Sequence, residues 1–195
     1  CKLGTRTVQP HLFALEEFGV DILAKTGHYH VTVNKKQPEE IVLYESGDTT
    51  TENVIMAAAK FEGEVTIKMA SANYMVQDLC FFLKKLGVKV DGIGTSTLRI
   101  RGVKEIKKNV TYFPSEDPIE SMTFVAAAVA TNSKLTVTRS PIEFLELELL
   151  KLKKMGLKVD VSEKYKANNG HTELADITVY KHDGALRALD EKIYA

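Results

Sequence analysis

Cysteine is scarce in this 195-residue sequence, with Cys1 and Cys80 the two thiols. Two thiols make neither a disulfide framework nor, by themselves, a cysteine zinc site. Cys80 falls in an apolar helical pattern and reads as a buried thiol. Net charge of either sign is absent, because 26 Lys and Arg balance 26 Asp and Glu. That balance gives no electrostatic footing for a nucleic acid or a membrane surface. No run of about 18 apolar residues occurs, so no transmembrane helix is expected. No signal or transit segment, low-complexity stretch or linker stands out. A reducing cytoplasm is the expected compartment. Disorder is excluded by 44% apolar residues at zero net charge. The first residue is Cys and not Met, so a fragment or a processed product is expected.

What is present is a repeat. Three segments share one pattern, a helix ending in Gly followed by a short strand: LFALEEFGVDI (Leu12 to Ile22), CFFLKKLGVKV (Cys80 to Val90) and ELLKLKKMGLKV (Glu148 to Val159). Their glycines, Gly19, Gly87 and Gly156, are spaced 68 and 69 residues apart. Each is placed to end its helix in the left-handed conformation. A second pattern keeps the same period, because the Ala-rich stretches starting at Glu52 and Glu120 are 68 residues apart. The unit reads strand, Ala-rich helix, strand, amphipathic helix, strand, strand. Three such units give boundaries at 1–38, 39–107 and 108–195, the first incomplete, all in a single domain.

The two helix types differ in their apolar faces. Helices over Thr51–Phe61 and Pro118–Ala130 are apolar on nearly every side and are expected to be buried all round. Helices over Val76–Leu86 and Ile142–Met155 are one-sided. Strands such as Thr97–Arg101 alternate and should keep a wet face. Helices inside and sheets outside are therefore expected, the reverse of a flat sheet covered by helices. The stretch Gly92-Ile93-Gly94 lies between two strands and reads as a hairpin turn, not a dinucleotide-binding loop. Tyr165–Glu173 reads as a polar hairpin loop.

Candidate chemistry collects at a few places. Gly47 to Asn53 precedes the first Ala-rich helix. Thr49 with Glu52 fits a capping box. The alternative is an anion site made from free N–H groups, the positive end of the helix dipole and threonine hydroxyls. Asp117 before Pro118 is ordinary helix grammar, or else a general base facing a substrate hydroxyl. Cys1 near Lys2 and Arg6 is either the residue left by a cut or a thiol activated by cations. His28 and His30 share a strand face, but no third metal ligand accompanies them, so they read as surface histidines. His11 opens the first helix. Arg139 ends a strand and either reaches an anion or is merely exposed. No metal site and no cofactor is called for.

Three motifs taken in order resemble a known family: Cys1-x-x-Gly4-x-Arg6, then Thr51-Glu52-Asn53 leading into Val54-Ile55-Met56-Ala57-Ala58, then Asp117-x-Ile119-Glu120-x-x-Thr123-Phe124. With the repeat spacing they are similar to the UDP-N-acetylglucosamine 1-carboxyvinyltransferases, over nearly the whole chain. The resemblance implies an α/β (α+β) fold of the inside-out α/β prism type, built from repeated βαβαββ units. It implies a chain of about twice this length, with the active site between two domains, so that this fragment alone is expected to be inactive. It implies transfer of enolpyruvate from phosphoenolpyruvate to the 3-hydroxyl of UDP-N-acetylglucosamine, in peptidoglycan precursor synthesis. Cys1 then matches the acid that protonates the methylene carbon, and Asp117 the carboxylate that takes the sugar proton. Arg6 and Arg139 match anion-binding arginines. Thr7, Val8, Gln9, Pro10 and His11 match the segment at the uridine end. Thr49, Thr50, Thr51, Glu52 and Asn53 match the loop over the nucleotide diphosphate. The chain departs from the family pattern at Gln9, Pro10, Pro118 and Met122, which bears on the acceptor more than on the reaction.

Other readings remain open at this point. One is the sister enzyme acting on shikimate 3-phosphate, against which Cys1 and Thr7–His11 argue. Another is a divergent, non-catalytic domain that binds a UDP-sugar. A third, the RNA 3′-phosphate cyclase, shares related repeat topology but wants a basic face that this chain lacks.

Overall fold

The structure, a computed structural model, describes residues 7–34 and 36–189. It divides into two compact units, the first running to Tyr112 and the second starting at Phe113.

The first unit opens with α1 (Gln9–Glu16) and the hairpin β1 (Val20–Lys25) and β2 (His28–Val33). β1 and β2 pair antiparallel from Val20↔Val33 to Lys25↔His28. A full repeat follows: β3 (Glu40–Val42), α2 (Asp48–Ala58), β4 (Glu64–Lys68), α3 (Tyr74–Leu86), β5 (Lys89–Asp91) and β6 (Thr97–Arg101). These strands make one sheet in the order β3-β4-β6-β5. The β3–β4 pair is parallel, as a crossover through α2 demands, and the others are antiparallel.

Alternation explains the sheet's two faces. Val65, Ile67, Leu98, Ile100 and Val90 point inward and are buried, while Arg99 and Arg101 face water. The inner face meets Val54, Ile55 and Ala58 of α2 and Val76, Cys80 and Leu83 of α3. The α3 set follows the i, i+4, i+7 spacing of an amphipathic helix. Each fully buried aliphatic side chain contributes about 2 kcal/mol. The helices therefore lie behind a sheet whose outer face is wet, as the alternation predicts.

The second unit carries α4 (Pro118–Ala130), β7 (Leu135–Pro141), α5 (Glu146–Lys154), β8 (Val159–Val161), β9 (Tyr165–Lys166) and β10 (Glu173–Val179). Its sheet runs β7-β10-β8, the same order as β4-β6-β5, with β9 added on β10. Its core gathers Val125 and Ala128 of α4, Leu145 and Leu149, and Ala175, Ile177 and Val179 of β10. Among the described residues of this unit, no strand stands in the place of β3.

The helix-ending glycines take positive φ as expected: Gly19 at +75°, Gly87 at +106° and Gly156 at +95°. The hairpin reading of Gly92–Gly94 also holds, with φ of +81° and +82° at the two glycines. Three expectations need correction. The first Ala-rich helix starts earlier, at Asp48, and ends at Ala58. The last amphipathic helix is interrupted. A 3-10 turn over Ile142–Phe144 follows Pro141, and Leu145 at φ −120° separates it from α5. The Ala-rich helices are not buried all round. On α4, Ile119 is 65% and Phe124 52% exposed, and on α2 Met56 is 47% exposed. α4 packs on β7 and β10, and α2 packs on α1, α3, β4 and β6, leaving these apolar side chains exposed.

Candidate functional site

In the first unit the two predicted segments come together. Thr7 opens α1, its Oγ1 accepting from the Gln9 N–H at 3.1 Å. Val8 and Gln9 are exposed, and Pro10 is buried in the first turn, where its missing N–H costs nothing. His11 follows, and its Nδ1 accepts from Asn53 Nδ2 at 2.9 Å. Segments 7–11 and 49–53 are thereby joined across 42 residues of sequence.

The Thr49–Glu52 capping box does not form. The N-cap is Gly47, which has no side-chain cap, so Thr49 to Asn53 are already inside the first turns of α2 and not in a loop. Thr51 replaces the box. Its hydroxyl donates to the Gly47 carbonyl at 2.7 Å and accepts from the Ser71 N–H at 3.0 Å. Asp48 completes the tie: Ser71 Oγ donates to one carboxylate oxygen, and Asn73 Nδ2 to the other at 2.7 Å. Asn73 Oδ1 in turn accepts from the Tyr74 N–H at 2.6 Å, capping α3. One carboxylate thus links the starts of two helices and sits where the dipole favours it.

Asp48, Ser71 and Asn73 were not among the residues predicted from sequence. The acidic first turn was the available signal. Thr49 is exposed, whereas Thr50 is buried and its hydroxyl has no hydrogen-bond partner among the described residues. Burial raises the Glu52 carboxyl above its ordinary range, and the nearby Asp48 charge adds to the effect. Also in this unit, a cavity of about 530 Å³ lies between Phe18, Phe61 and the lysines Lys36, Lys60 and Lys104, away from every predicted residue.

In the second unit Asp117 is the N-cap of α4. Its Oδ1 accepts from the Ile119 N–H at 2.7 Å, and Pro118 takes the first helical position. The carboxylate is exposed. Glu116, the residue before it, forms an ion pair with the Arg139 guanidinium. That pair brings Arg139 within one residue of Asp117. Arg139 itself stands at φ +57°, a region that side chains with a Cβ rarely enter. Its N–H is held by Tyr165 Oη at 3.1 Å and Asp176 Oδ1 at 3.0 Å. The Tyr165 hydroxyl and the Arg139 N–H both hold the Asp176 carboxyl below the usual range. Cys1 and Arg6 lie outside the described residues. His28 and His30 lie on the exposed strand β2.

Among the described residues, a βαβαββ unit present in full once and in part twice, with a polar cluster where an Ala-rich helix begins, defines a repeated α/β fold. The comparisons agree on it. The chain is similar to the enolpyruvyl transferase NikO from Streptomyces tendae, with a TM-score of 0.74 at 21% identity, covering 91% of this chain and 43% of that one. It is similar in fold to EPSP synthase from Acinetobacter baumannii, with a TM-score of 0.65 at 18% identity, covering 92% and 41%. The chain belongs to the EPSP synthase (3-phosphoshikimate 1-carboxyvinyltransferase) family, whose profile matches residues 1–190. Among curated relatives it is 33% identical over 179 residues to UDP-N-acetylglucosamine 1-carboxyvinyltransferase 1 of Clostridium acetobutylicum, covering 92% of this chain and 43% of that protein. It is 37% identical over 156 residues to the UDP-N-acetylglucosamine 1-carboxyvinyltransferase of Ruthia magnifica subsp. Calyptogena magnifica, covering 80% and 37%. The chain thus spans less than half the length of the relatives it matches. Among the described residues, no helix is long and apolar enough to cross a membrane.

Proposed function

We propose that the chain is part of an enzyme that transfers enolpyruvate from phosphoenolpyruvate to the 3-hydroxyl of UDP-N-acetylglucosamine, a cytoplasmic step of peptidoglycan precursor synthesis. In this reading, segments 1–38, 39–107 and 108–195 are three repeats of one domain of that enzyme. The observation that carries it is identity of 33% across 92% of the chain to a relative of that name.

The chemistry is addition followed by elimination. Asp117 takes the proton of the sugar hydroxyl, and the oxygen attacks the substituted carbon of the enol phosphate. Cys1 delivers a proton to the methylene carbon, giving a tetrahedral intermediate. Loss of a methyl proton and of inorganic phosphate then restores the double bond. Arg6 and Arg139 hold the anionic groups. Thr7, Val8, Gln9, Pro10 and His11 take the uridine end. Segment 49–53 lies toward the diphosphate through the exposed Thr49 and the half-buried Asn53, while Thr51 is buried and holds the start of α2 through Gly47 and Ser71. The His11–Asn53 bond supports a shared role for those two segments.

Transfer to shikimate 3-phosphate is the second reading, favoured by the description of the family that matches residues 1–190. Calorimetric titration of the chain with UDP-N-acetylglucosamine, UDP and shikimate 3-phosphate separates the two. Saturable binding of the UDP-sugar and UDP alone is expected. Binding of shikimate 3-phosphate with none of the UDP-sugar overturns the first reading. Turnover is expected only with the remaining length of the relatives supplied, so phosphate release by this chain alone would contradict the proposal of a shared active site.

A further inference from the structure

Two residues with side chains adopt the same left-handed bend at the same place in successive repeats. Met69 has φ +61° and Arg139 φ +57°, and they are 70 residues apart, close to the repeat length. The flanking segments Val65–Ser71 and Leu135–Pro141 align position for position. The bend therefore belongs to the architecture, and only its side chain changes between the repeats.

Three features accompany the arginine and not the methionine. The Arg139 N–H is gripped by Tyr165 Oη and Asp176 Oδ1, which are joined to each other at 2.6 Å. No side-chain acceptor for the Met69 N–H is found among the described residues. The grip is delivered by departures from the repeat: Tyr165 comes from the added strand β9, and Asp176 from the register shift between Ala175 and Ile177 in β10. The guanidinium reaches Glu116, whose other carboxylate oxygen is buried without a hydrogen-bond partner among the described residues. A guanidinium carries five N–H donors in a rigid fork, more than this one pair uses. Arg139 remains 45% exposed on its side chain.

We propose that Tyr165 and Asp176 are positioning residues that hold Arg139 in its bend, so that its guanidinium stands beside Asp117 as the receptor for an anionic substrate group, with Glu116 as resident counterion. This rests on the reading that the chain binds phosphoenolpyruvate and a UDP-sugar. The strain of a left-handed residue is offset by the two acceptors on its N–H, and the fold receives in return a fixed cation at the mouth of α4.

The chain itself supplies the control, because Met69 shows that methionine is tolerated at the bend. The chain and its Arg139→Met, Tyr165→Phe, Asp176→Asn and Asp176→Ala variants are titrated with phosphoenolpyruvate, inorganic phosphate and UDP-N-acetylglucosamine, with Tm measured for each. The Arg139 Nε–H resonance is followed by NMR wherever the arginine is retained. Arg139→Met is expected to keep its Tm and to lose at least about tenfold in anion affinity. Tyr165→Phe and Asp176→Ala are expected to lose about threefold to tenfold with a broadened Arg139 resonance, and Asp176→Asn, which keeps the accepting oxygen, to recover most of the loss. Unchanged anion affinity in Arg139→Met overturns the proposal. So does a loss in Arg139→Met that Tyr165→Phe and Asp176→Ala do not share. Failure of the unmodified chain to bind either anion also overturns it, and UDP-sugar binding in the same sample would leave the broader function standing. Binding of phosphoenolpyruvate that depends on Arg139, Tyr165 and Asp176 without any UDP-sugar binding supports the proposal and removes the acceptor assignment instead.

Discussion

At the scale of single residues, the observed capping and the proposed catalysis fall on the same carboxylate, and chemistry can separate them. Asp117 caps α4 through one oxygen on the Ile119 N–H. Asparagine caps a helix as well as aspartate does but cannot take a proton. Asp117→Asn in the complete enzyme is therefore expected to leave Tm unchanged and to lower kcat by about a hundredfold or more. Asp117→Ala should cost about 1 kcal/mol of stability in addition. Intact kcat in Asp117→Asn, with a Tm loss confined to Asp117→Ala, would leave Asp117 as a cap alone. The cap was legible in the sequence because it spans two residues. The Asp48–Ser71–Asn73 tie was not, because its partners are 23 and 25 residues away and meet only when the sheet brings them together. Local grammar therefore pointed to Thr49 and Glu52, while the fold satisfied α2 through Thr51 and Asp48. Arg139 was legible as a candidate cation. Its bend was not, because nothing in its residue type announces a positive φ.

The elements follow the period more faithfully than they follow local propensity. The three helix-ending glycines stood out by spacing alone, and all three are left-handed. They are not equivalent in space. A Cβ on Gly19 would come within 1.7 Å of the Asn34 carbonyl oxygen. A Cβ on Gly156 would meet nothing within 4 Å. Gly156→Ala is expected to cost only the left-handed penalty, about 1 kcal/mol. Gly19→Ala should cost about 3 kcal/mol or more, because strain and overlap add. Urea midpoints of the two variants check the contrast, and equal losses would show that the Gly19 turn yields. Hydrophobic pattern gave α4 its bounds, since Pro118 and Asp117 fix its start. It failed at Ile142–Lys154, where a run of leucines and glutamates reads as one helix but Pro141 imposes a 3-10 turn first. The two-residue strand β9 is too short to carry any alternation.

At the scale of the whole molecule, the apolar count fixed a globular chain but not which faces close. Composition cannot say that Ile119 and Phe124 stay open, because both have the residue type of a core. The buried groups do fix how the chain responds to pH. Burial pushes the Cys80 thiol up to about 12, with Lys84 pulling the other way. Burial and the hydrogen bond to Asp78 also push the Tyr112 phenol well up, its hydroxyl standing 2.8 Å from Asp78 Oδ1. In the unfolded chain both groups lose their protons near ordinary values, so it binds fewer protons than the native state. Their contribution is fully present below the unfolded pKa and is lost as pH rises through the folded one. For Cys80 that window opens near pH 9 and closes near 12. Urea midpoints measured from pH 7 to 11 should therefore fall on the alkaline side. Lysines titrate there too, so the decisive quantity is the difference between variants. Cys80→Ala and Tyr112→Phe should each flatten the alkaline fall relative to the unmodified chain, whatever they cost at pH 7. Parallel curves would mean that neither proton is held by the fold. The same burial keeps the Cys80 thiolate scarce at neutral pH, so a thiol reagent should label Cys80 only at the rate at which the surrounding core opens.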